Sequence, residues 1–359
     1  MRFIACLFAA VLVIAATPGH AVDARTYAAM NRAAVEGHIL PRYDALVAAT
    51  DSLEAAAKSY CAAPASRPIA DLQAAFGATM DAWEDIQHVR FGPVDWFFRS
   101  QRFAFWPDPR NTIGKQMAEL LSKHAAGSID VDLLAKGSVA TQGLPAMERL
   151  IFGEDAAKLK SGADAAYRCH YVEAIAVNLA RIARDTRAAW REGGDKAFAA
   201  VMLDTTKPDA PYREEQEATL ELFKALYLAV ELAADHKLAR PLGASASDAR
   251  PRLAQAWRSE RSLRNIQRNL LAARDLYQTG FAPAVADKAL DAAIRDAFGR
   301  VLSAAAALKQ PLETAVQDKA ARPLAEKLAA EALALKKLLS DRLPPALDIP
   351  VGFNALDGD

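Results

Sequence analysis

The chain has 359 residues, of which 52% are hydrophobic, and its 44 basic residues (Lys and Arg) are balanced by 44 acidic ones. This balance does not support a nucleic-acid-binding surface, and the length suffices for two domains of ordinary size. Long stretches of helix-forming residues, with hardly any alternation of Val, Ile and Thr, predict an all-α protein.

The first 21 residues have the pattern of a secretory signal. Arg2 provides the positive charge, residues 3–16 form the apolar run, and small residues lead to a cleavage site after Ala21. The segment is too short for a membrane span, so we expect an exported, periplasmic protein that does not cross the membrane after cleavage. Cys6 lies at the head of the apolar run, which argues against a lipid anchor.

Two cysteines, Cys61 and Cys169, remain in the mature chain. In an oxidising compartment an even pair of cysteines predicts a disulfide. The alternative is two reduced thiols in the core.

The first mature helix is predicted at residues 26–60. Pro41 lacks the N–H that would bond the carbonyl of Gly37, so a kink is expected near Gly37 and His38. A lone His at the edge of an apolar face is usually a satisfied boundary residue. A His beside a freed carbonyl at a kink is also a candidate ligand.

A second helix is predicted at residues 69–90. Arg90 continues its apolar row, either with its aliphatic stem covering apolar surface or with its guanidinium meeting an internal carboxylate such as Glu148. Asp85 and His88 are predicted to be solvated.

Aromatic residues dominate residues 95–110, where prolines at 107 and 109 rule out a continuous helix. Asp108, held between them next to Trp106, has little backbone freedom and suits a ligand or an arginine partner, or a plain turn packed under a tryptophan. Asn111 or Thr112 is the expected cap of the next helix, which should run to about residue 124.

Residues 142–153 (QGLPAMERLIFG) are predicted to form an amphipathic helix with Glu148 inside its apolar arc. A carboxylate there needs a partner, because an unpaired buried charge is very costly. The purely structural interpretation is a carboxylate at the rim of a core, paired with a nearby arginine.

A long helix is predicted next, at residues 165–190, and the Pro-containing residues 205–211 are predicted to be a domain boundary.

The second half is also predicted to be helical, with helices at residues 212–237, 252–277, 282–309 and 311–341. In the helix at 252–277, Glu260 and Arg264 lie on one face with Trp257 and Leu271. This arrangement predicts an interior polar strip, which either defines a site or fixes the helix register.

Several segments carry a family resemblance. Gly143, Ala146, Glu148, Leu150, Phe152 and Gly153 resemble the signature segment of the imelysin-like family, often written Gly-x-His-x-x-Glu, with Pro145 at the His position, as in a periplasmic branch related to iron-regulated imelysins. Residues 37–41, 90–93, 105–108, 261–266 and 352–359 also resemble the family pattern. The resemblance implies an exported bacterial protein of two helical bundles (a duplicated four-helix-bundle type), a site between them, a role in iron or other metal uptake, and an old peptidase label. The expected units are a signal at 1–21 and bundles at 22–205 and 206–359.

The leading hypothesis is a ligand-binding or accessory component of metal uptake, with a partner protein in the uptake system. The expected ligand-binding residues are His38, Arg90, Trp106, Asp108, Glu148, Glu260 and Arg264. Of these, His38, Asp108 and Glu148 could hold iron or another divalent cation, whereas the arginines suit an anionic ligand or metal chelate better. The alternatives are a zinc metallopeptidase, although no His-Glu-x-x-His is present, and an interaction scaffold without a ligand.

Overall fold

The computed structural model describes residues 22–122, 129–153, 156–208 and 210–350, and every regular element in these ranges is helical. The predicted all-α fold is therefore confirmed. None of the described helices combines the length and apolar composition needed to span a bilayer. The predicted signal at residues 1–21 lies outside the described residues.

The α-helices are distributed over both halves of the chain. In the first half they are α1 (Ala24–Ala34), α2 (Leu40–Ala62), α3 (Ile69–Glu84), α4 (Arg99–Phe103), α5 (Thr112–Ser122), α6 (Val131–Lys136), α7 (Gly143–Ile151), α8 (Ala165–Arg191) and α9 (Phe198–Met202). In the second half they are α10 (Glu215–Glu231), α11 (Arg240–Leu242), α12 (Ser262–Leu276), α13 (Lys288–Ala307), α14 (Leu312–Ala315) and α15 (Arg322–Ala346).

Shorter helical turns connect these helices. The π-helical turns are Val35–Ile39, Leu232–Ala239 and Tyr277–Phe281. The 3-10 turns are Gly92–Val94, Trp96–Phe98, Val139–Thr141, Ala156–Leu159, Gly194–Lys196, Ala246–Asp248, Pro251–Leu253, Trp257–Ser259 and Ala282–Ala284.

The long helices pack as two groups. In the first half α2 packs against α3 and α8, and α7 packs against α3 and α8. In the second half α15 packs against α13 and α10, and α12 against α10 and α13. Helix α1 packs against α10, and α3 packs against α12, so these two contacts join the halves. The division at residues 205 and 206 stays a prediction.

The first helix is interrupted where Pro41 predicts a kink, but the interruption is a π-helical turn, Val35–Ile39. Pro41 lies in the first turn of α2, where its missing N–H costs little. The π turn crosses another one, Tyr277–Phe281, at very short range. A Cβ added to Gly37 would lie 2.8 Å from Cγ2 of Thr279. This close approach explains the glycine, and π-helical turns are often found at functional sites.

Cys61 and Cys169 form the predicted disulfide, with a Cα–Cα distance of 5.4 Å. The bridge joins the last turn of α2 to the first turn of α8, helices that already pack along their length. The disulfide prediction is therefore confirmed.

Helix α3 ends at Glu84, earlier than residue 90, and the chain turns before the aromatic segment. Phe97 and Phe98 adopt left-handed backbone conformations (φ of 57° and 56°) and leave 74% and 70% of their surface exposed. Trp96 packs edge-on against Phe198, which anchors the segment to the core.

Candidate functional site

A pocket lies where α7 and residues 104–109 of the first half meet residues 251–258 of the second half. Its inner part has a volume of about 100 Å³. An outer cleft of about 830 Å³, open to solvent, shares several lining residues with it, including Asp108, Arg149 and Trp257. The pocket is thus built from both halves of the chain.

Glu148 contributes to the pocket wall and is only 5% exposed, in agreement with its inward orientation predicted from the helical arc. Its Oε1 accepts hydrogen bonds from the backbone N–H of Ser259 (2.9 Å) and from the Ser259 hydroxyl (2.7 Å). Burial raises the pKa of Glu148, while these hydrogen bonds and the nearby Arg258 and Arg149 oppose the rise. The Glu148 carboxylate therefore links α7, in the first half, to the loop around Ser259 in the second half.

The position of α7 depends on Gly143, its first residue, whose φ is +81°. A Cβ at this position would lie 2.5 Å from the carbonyl oxygen of Phe103 and 2.6 Å from that of Arg102. Only glycine permits this approach of α7 to the end of α4.

Asp108 and Trp106 also line the inner pocket. The two carboxylate oxygens of Asp108 accept hydrogen bonds from the backbone N–H groups of Thr112 (2.7 Å) and Ile113 (2.9 Å). Asp108, rather than Asn111 or Thr112, therefore caps α5. The Trp106 ring lies edge-on to His236 of the second half, with 6.5 Å between ring centroids.

The predicted helix at residues 252–277 begins only at Ser262, so its proposed polar strip is wrong. Residues 251–261 form a loop with two 3-10 turns, in which Ala256 and Glu260 have positive φ. Glu260 is exposed and lines the outer cleft. Arg264 instead pairs with Asp81 of α3, with 2.8 Å between Nη2 and Oδ2.

Four arginines line the inner pocket, and the sequence analysis assigned none of them to the site: Arg149, Arg240, Arg252 and Arg258. The Arg258 and Arg252 guanidiniums lie 4.1 and 5.5 Å from the centroid of the Trp257 ring. Such cation–π contacts hold each guanidinium in place against the indole ring. The density of arginines in residues 250–268 was the signal that could have revealed Arg252 and Arg258.

Arg90 does not meet Glu148. Its Nε donates to the carbonyl oxygen of Gln87 (2.6 Å), and its guanidinium lies 5.8 Å from the Trp83 ring centroid. Burial lowers the pKa of Arg90, and the nearby Tyr43, Glu84 and Asp95 oppose this. Arg90 thus packs on the aromatic core, away from the pocket.

His38, on the π turn Val35–Ile39, is completely buried in a second polar cluster with His88, which follows α3, and Asp275 of α12. Its Nδ1 lies 2.8 Å from Oδ2 of Asp275, and its Nε2 lies 2.9 Å from Nε2 of His88. His88 is also completely buried, and Asp85 pairs with Arg268, so the prediction that Asp85 and His88 are solvated is wrong.

The suggested metal ligands His38, Asp108 and Glu148 do not come together. Within the described ranges no group of three His, Cys, Asp or Glu side chains has an arrangement that could hold a metal ion. His38 is engaged by Asp275 and His88, and both oxygens of Asp108 are engaged by backbone N–H groups. These residues do not fit a resident metal.

The buried histidines predict a loss of stability in acid. Burial lowers the pKa of His38 from 6.5 to about 4 and lowers that of His88 well below its usual value. Because the folded protein favours the neutral rings, the stabilisation is full above pH 6.5 and is lost as the pH falls toward 4. For His38 alone the loss is about 3 kcal/mol.

Urea unfolding at several pH values between 7.5 and 4.5 measures this effect. His88→Leu should flatten the dependence of the unfolding free energy on pH relative to the unmodified protein. His170→Asn, at an exposed position on α8, is the matched control. Equal pH slopes for all three proteins would show that the buried pair does not contribute.

The chain resembles proteins of known family. A family model described as Imelysin matches residues 39–340. Iron-regulated protein A of Synechococcus elongatus is 22% identical over 245 residues, which are 68% of this chain. The chain spans 62% of the length of that curated relative.

Two solved structures share the fold. An imelysin-like protein from Psychrobacter arcticum has a TM-score of 0.74 at 21% identity, covering 93% of this chain and 99% of that chain. An iron-regulated protein A precursor from Parabacteroides distasonis has a TM-score of 0.71 at 17% identity, covering 91% and 97%. At these identities the likeness shows the fold alone. Because the family model spans most of its length, this chain belongs to the imelysin family.

Proposed function

We propose that the chain is an exported protein of iron or other metal uptake that binds its ligand in the pocket between α7 and residues 251–258. Membership of the imelysin family and the relatives named as iron-regulated proteins support the metal connection. The observation that carries the ligand site is the pair of hydrogen bonds that Ser259 donates to Glu148, because they link the two halves at a pocket whose walls come from both. Ligand pockets commonly form at such junctions.

The periplasm is the proposed location. The signal pattern of residues 1–21 supports export, and the disulfide between Cys61 and Cys169 is typical of an oxidising compartment. Cell fractionation, with N-terminal sequencing of the mature protein, tests this. A protein that begins at Val22 and is released with the periplasmic fraction is the expected result, and retention of residues 1–21 in the cytoplasm would contradict it.

In this proposal Glu148 holds the pocket together. Glu148→Ala leaves the backbone N–H of Ser259 without an acceptor and its hydroxyl with only the Ala256 carbonyl oxygen, so residues 251–258 lose their link to α7 and ligand binding is abolished. The free energy of unfolding should fall by about 1–3 kcal/mol, which leaves the protein folded. Glu148→Gln is the matched control, because an amide oxygen can still accept both hydrogen bonds.

Calorimetric titration of the purified protein with Fe²⁺, Zn²⁺, citrate and ferric citrate measures binding. The proposal requires that at least one probe binds the unmodified protein and that Glu148→Ala loses it. If no probe binds, or if Glu148→Ala binds as well as the unmodified protein, the pocket is not the ligand site.

A zinc peptidase finds support only in the family's peptidase label. A catalytic zinc usually takes three protein ligands, and no such group occurs in the described part of the chain. The peptidase hypothesis would be supported if the pure protein cleaved a denatured substrate and a chelator stopped the cleavage.

A further inference from the structure

The two carboxylates at the inner pocket are directed toward donors of the protein itself. Asp108 accepts backbone N–H groups of α5 with both of its oxygens. Glu148 accepts both Ser259 donors with Oε1. A bare cation would have to compete with these hydrogen bonds for both oxygens of Asp108 and for Oε1 of Glu148.

The arginines are arranged differently. Arg149, Arg240 and Arg252 form no ion pair with any carboxylate in the described ranges, and Arg240 and Arg252 are exposed at the wall. Arg149 donates to the side-chain oxygen of Asn111 at 2.5 Å, which fixes its direction. Arg252 is held against the Trp257 ring. Asn111 and Trp257, which position Arg149 and Arg252, are neutral, so neither contact neutralises a guanidinium.

The charge of the inner pocket follows from its lining. Arg149, Arg240 and Arg252 face the two carboxylates of Asp108 and Glu148, which leaves an excess of one positive charge among these five residues. Guanidinium groups match carboxylates and phosphates in a two-pronged geometry, and such charge-assisted hydrogen bonds are about twice as strong as neutral ones. A bare divalent cation would meet net repulsion at the same place.

We propose that the ligand is a polyanion with at least two carboxylate or phosphate groups, and that metal enters the pocket as cargo inside such a chelate rather than as a bare ion. This inference rests on the proposed ligand site and specifies its chemistry. The polyanion lies between Arg149 on the α7 side and Arg240 and Arg252 on the second-half side. The outer cleft, which Arg149 and Arg252 also line, gives room for a chelate larger than the inner pocket.

The test compares citrate, ferric citrate, inorganic phosphate and Fe²⁺ by calorimetry. Arg240→Gln and Arg252→Gln should each weaken citrate or ferric citrate binding by about 10- to 100-fold. The Arg→Lys variants keep the charge but lose the two-pronged geometry, so their loss should be smaller. Arg342→Gln, on the exposed end of α15 and outside the pocket, is the control and should bind like the unmodified protein.

Two further measurements separate an anion site from a cation site. Raising the salt concentration from about 0.05 to about 0.5 M should weaken citrate binding. Glu148→Gln, which keeps the acceptor for Ser259 but removes a negative charge, should tighten citrate binding several-fold, whereas a cation site would lose affinity.

The results that test the polyanion inference can be told apart from those that test the proposed ligand site. Tighter binding of ferric citrate than of free citrate identifies a chelate, the reverse identifies the free polycarboxylate, and preferential binding of phosphate identifies a phosphate compound. Each of these supports a polyanion. If Fe²⁺ alone binds and the arginine variants leave it unchanged, the polyanion inference is overturned while the ligand site stands. If nothing binds, both fail.

Discussion

Gly143→Ala is expected to destabilise the protein by about 3–6 kcal/mol, through backbone strain at positive φ and a steric clash that add together. The new Cβ would lie 2.5 and 2.6 Å from two backbone carbonyl oxygens at the end of α4. Backbone atoms cannot rotate away as a flexible side chain can, so α7 must shift. Since α7 carries Glu148, the pocket should be lost with it.

Gly194→Ala separates the two causes. Gly194 also has a positive φ, of +59°, but no atom lies within 4 Å of an added Cβ. Its substitution should therefore cost only the backbone strain, about 1 kcal/mol. Urea unfolding of both variants, with the titrations described above, measures the difference. Equal losses of stability would mean that the approach of α7 to α4 is not limiting.

Lys237→Met is expected to cost about 3–5 kcal/mol, because it leaves the carboxylate of Glu84 buried without its cation. Both side chains are almost completely buried between α3 and the π turn Leu232–Ala239, where they form a salt bridge. Lys237 also donates to Asn269, which in turn donates to the Glu84 carbonyl oxygen at 2.6 Å. Burial raises the pKa of Glu84 and lowers that of Lys237, and their contact offsets both effects.

A double-mutant cycle tests this interpretation. Glu84→Met combined with Lys237→Met removes both charges, so the double variant should recover most of the stability lost in the single variants. The control is Lys337→Met, which breaks the exposed pair with Asp341 (2.6 Å) and should leave the free energy of unfolding nearly unchanged. Additive losses in the cycle would show that the two buried groups act independently.

The features predicted from sequence are those that depend on local periodicity. The inward side of α7 follows from the apolar arc that contains Glu148, and Pro41 marks the interruption of the first helix. The disulfide follows from having two cysteines left after the predicted signal of an expected exported chain. Each of these uses information from one segment or from a count of one residue type.

The site itself depends on partners far apart in the chain. Ser259 lies 111 positions after Glu148, and no local pattern links them. Trp257, Glu260 and Arg264 have helical spacing, but the positive φ of Glu260 ends that pattern without a glycine to signal it. His88 turns inward because α3 ends at Glu84, so its direction cannot be read from the helical period.

The docking of α1 on α10 has a consequence for dissecting this protein. Helix α1, the first described helix, packs against α10 of the second half. The π turn Val35–Ile39 then connects it to α2 of the first half. A protease cut between α9 and α10 would therefore yield two fragments that stay associated, since one keeps a helix embedded in the other. A recombinant piece starting at residue 206 would expose the flank of α10 that α1 covers. Separate expression of the halves calls for a rearranged gene in which residues 24–34 travel with the second half.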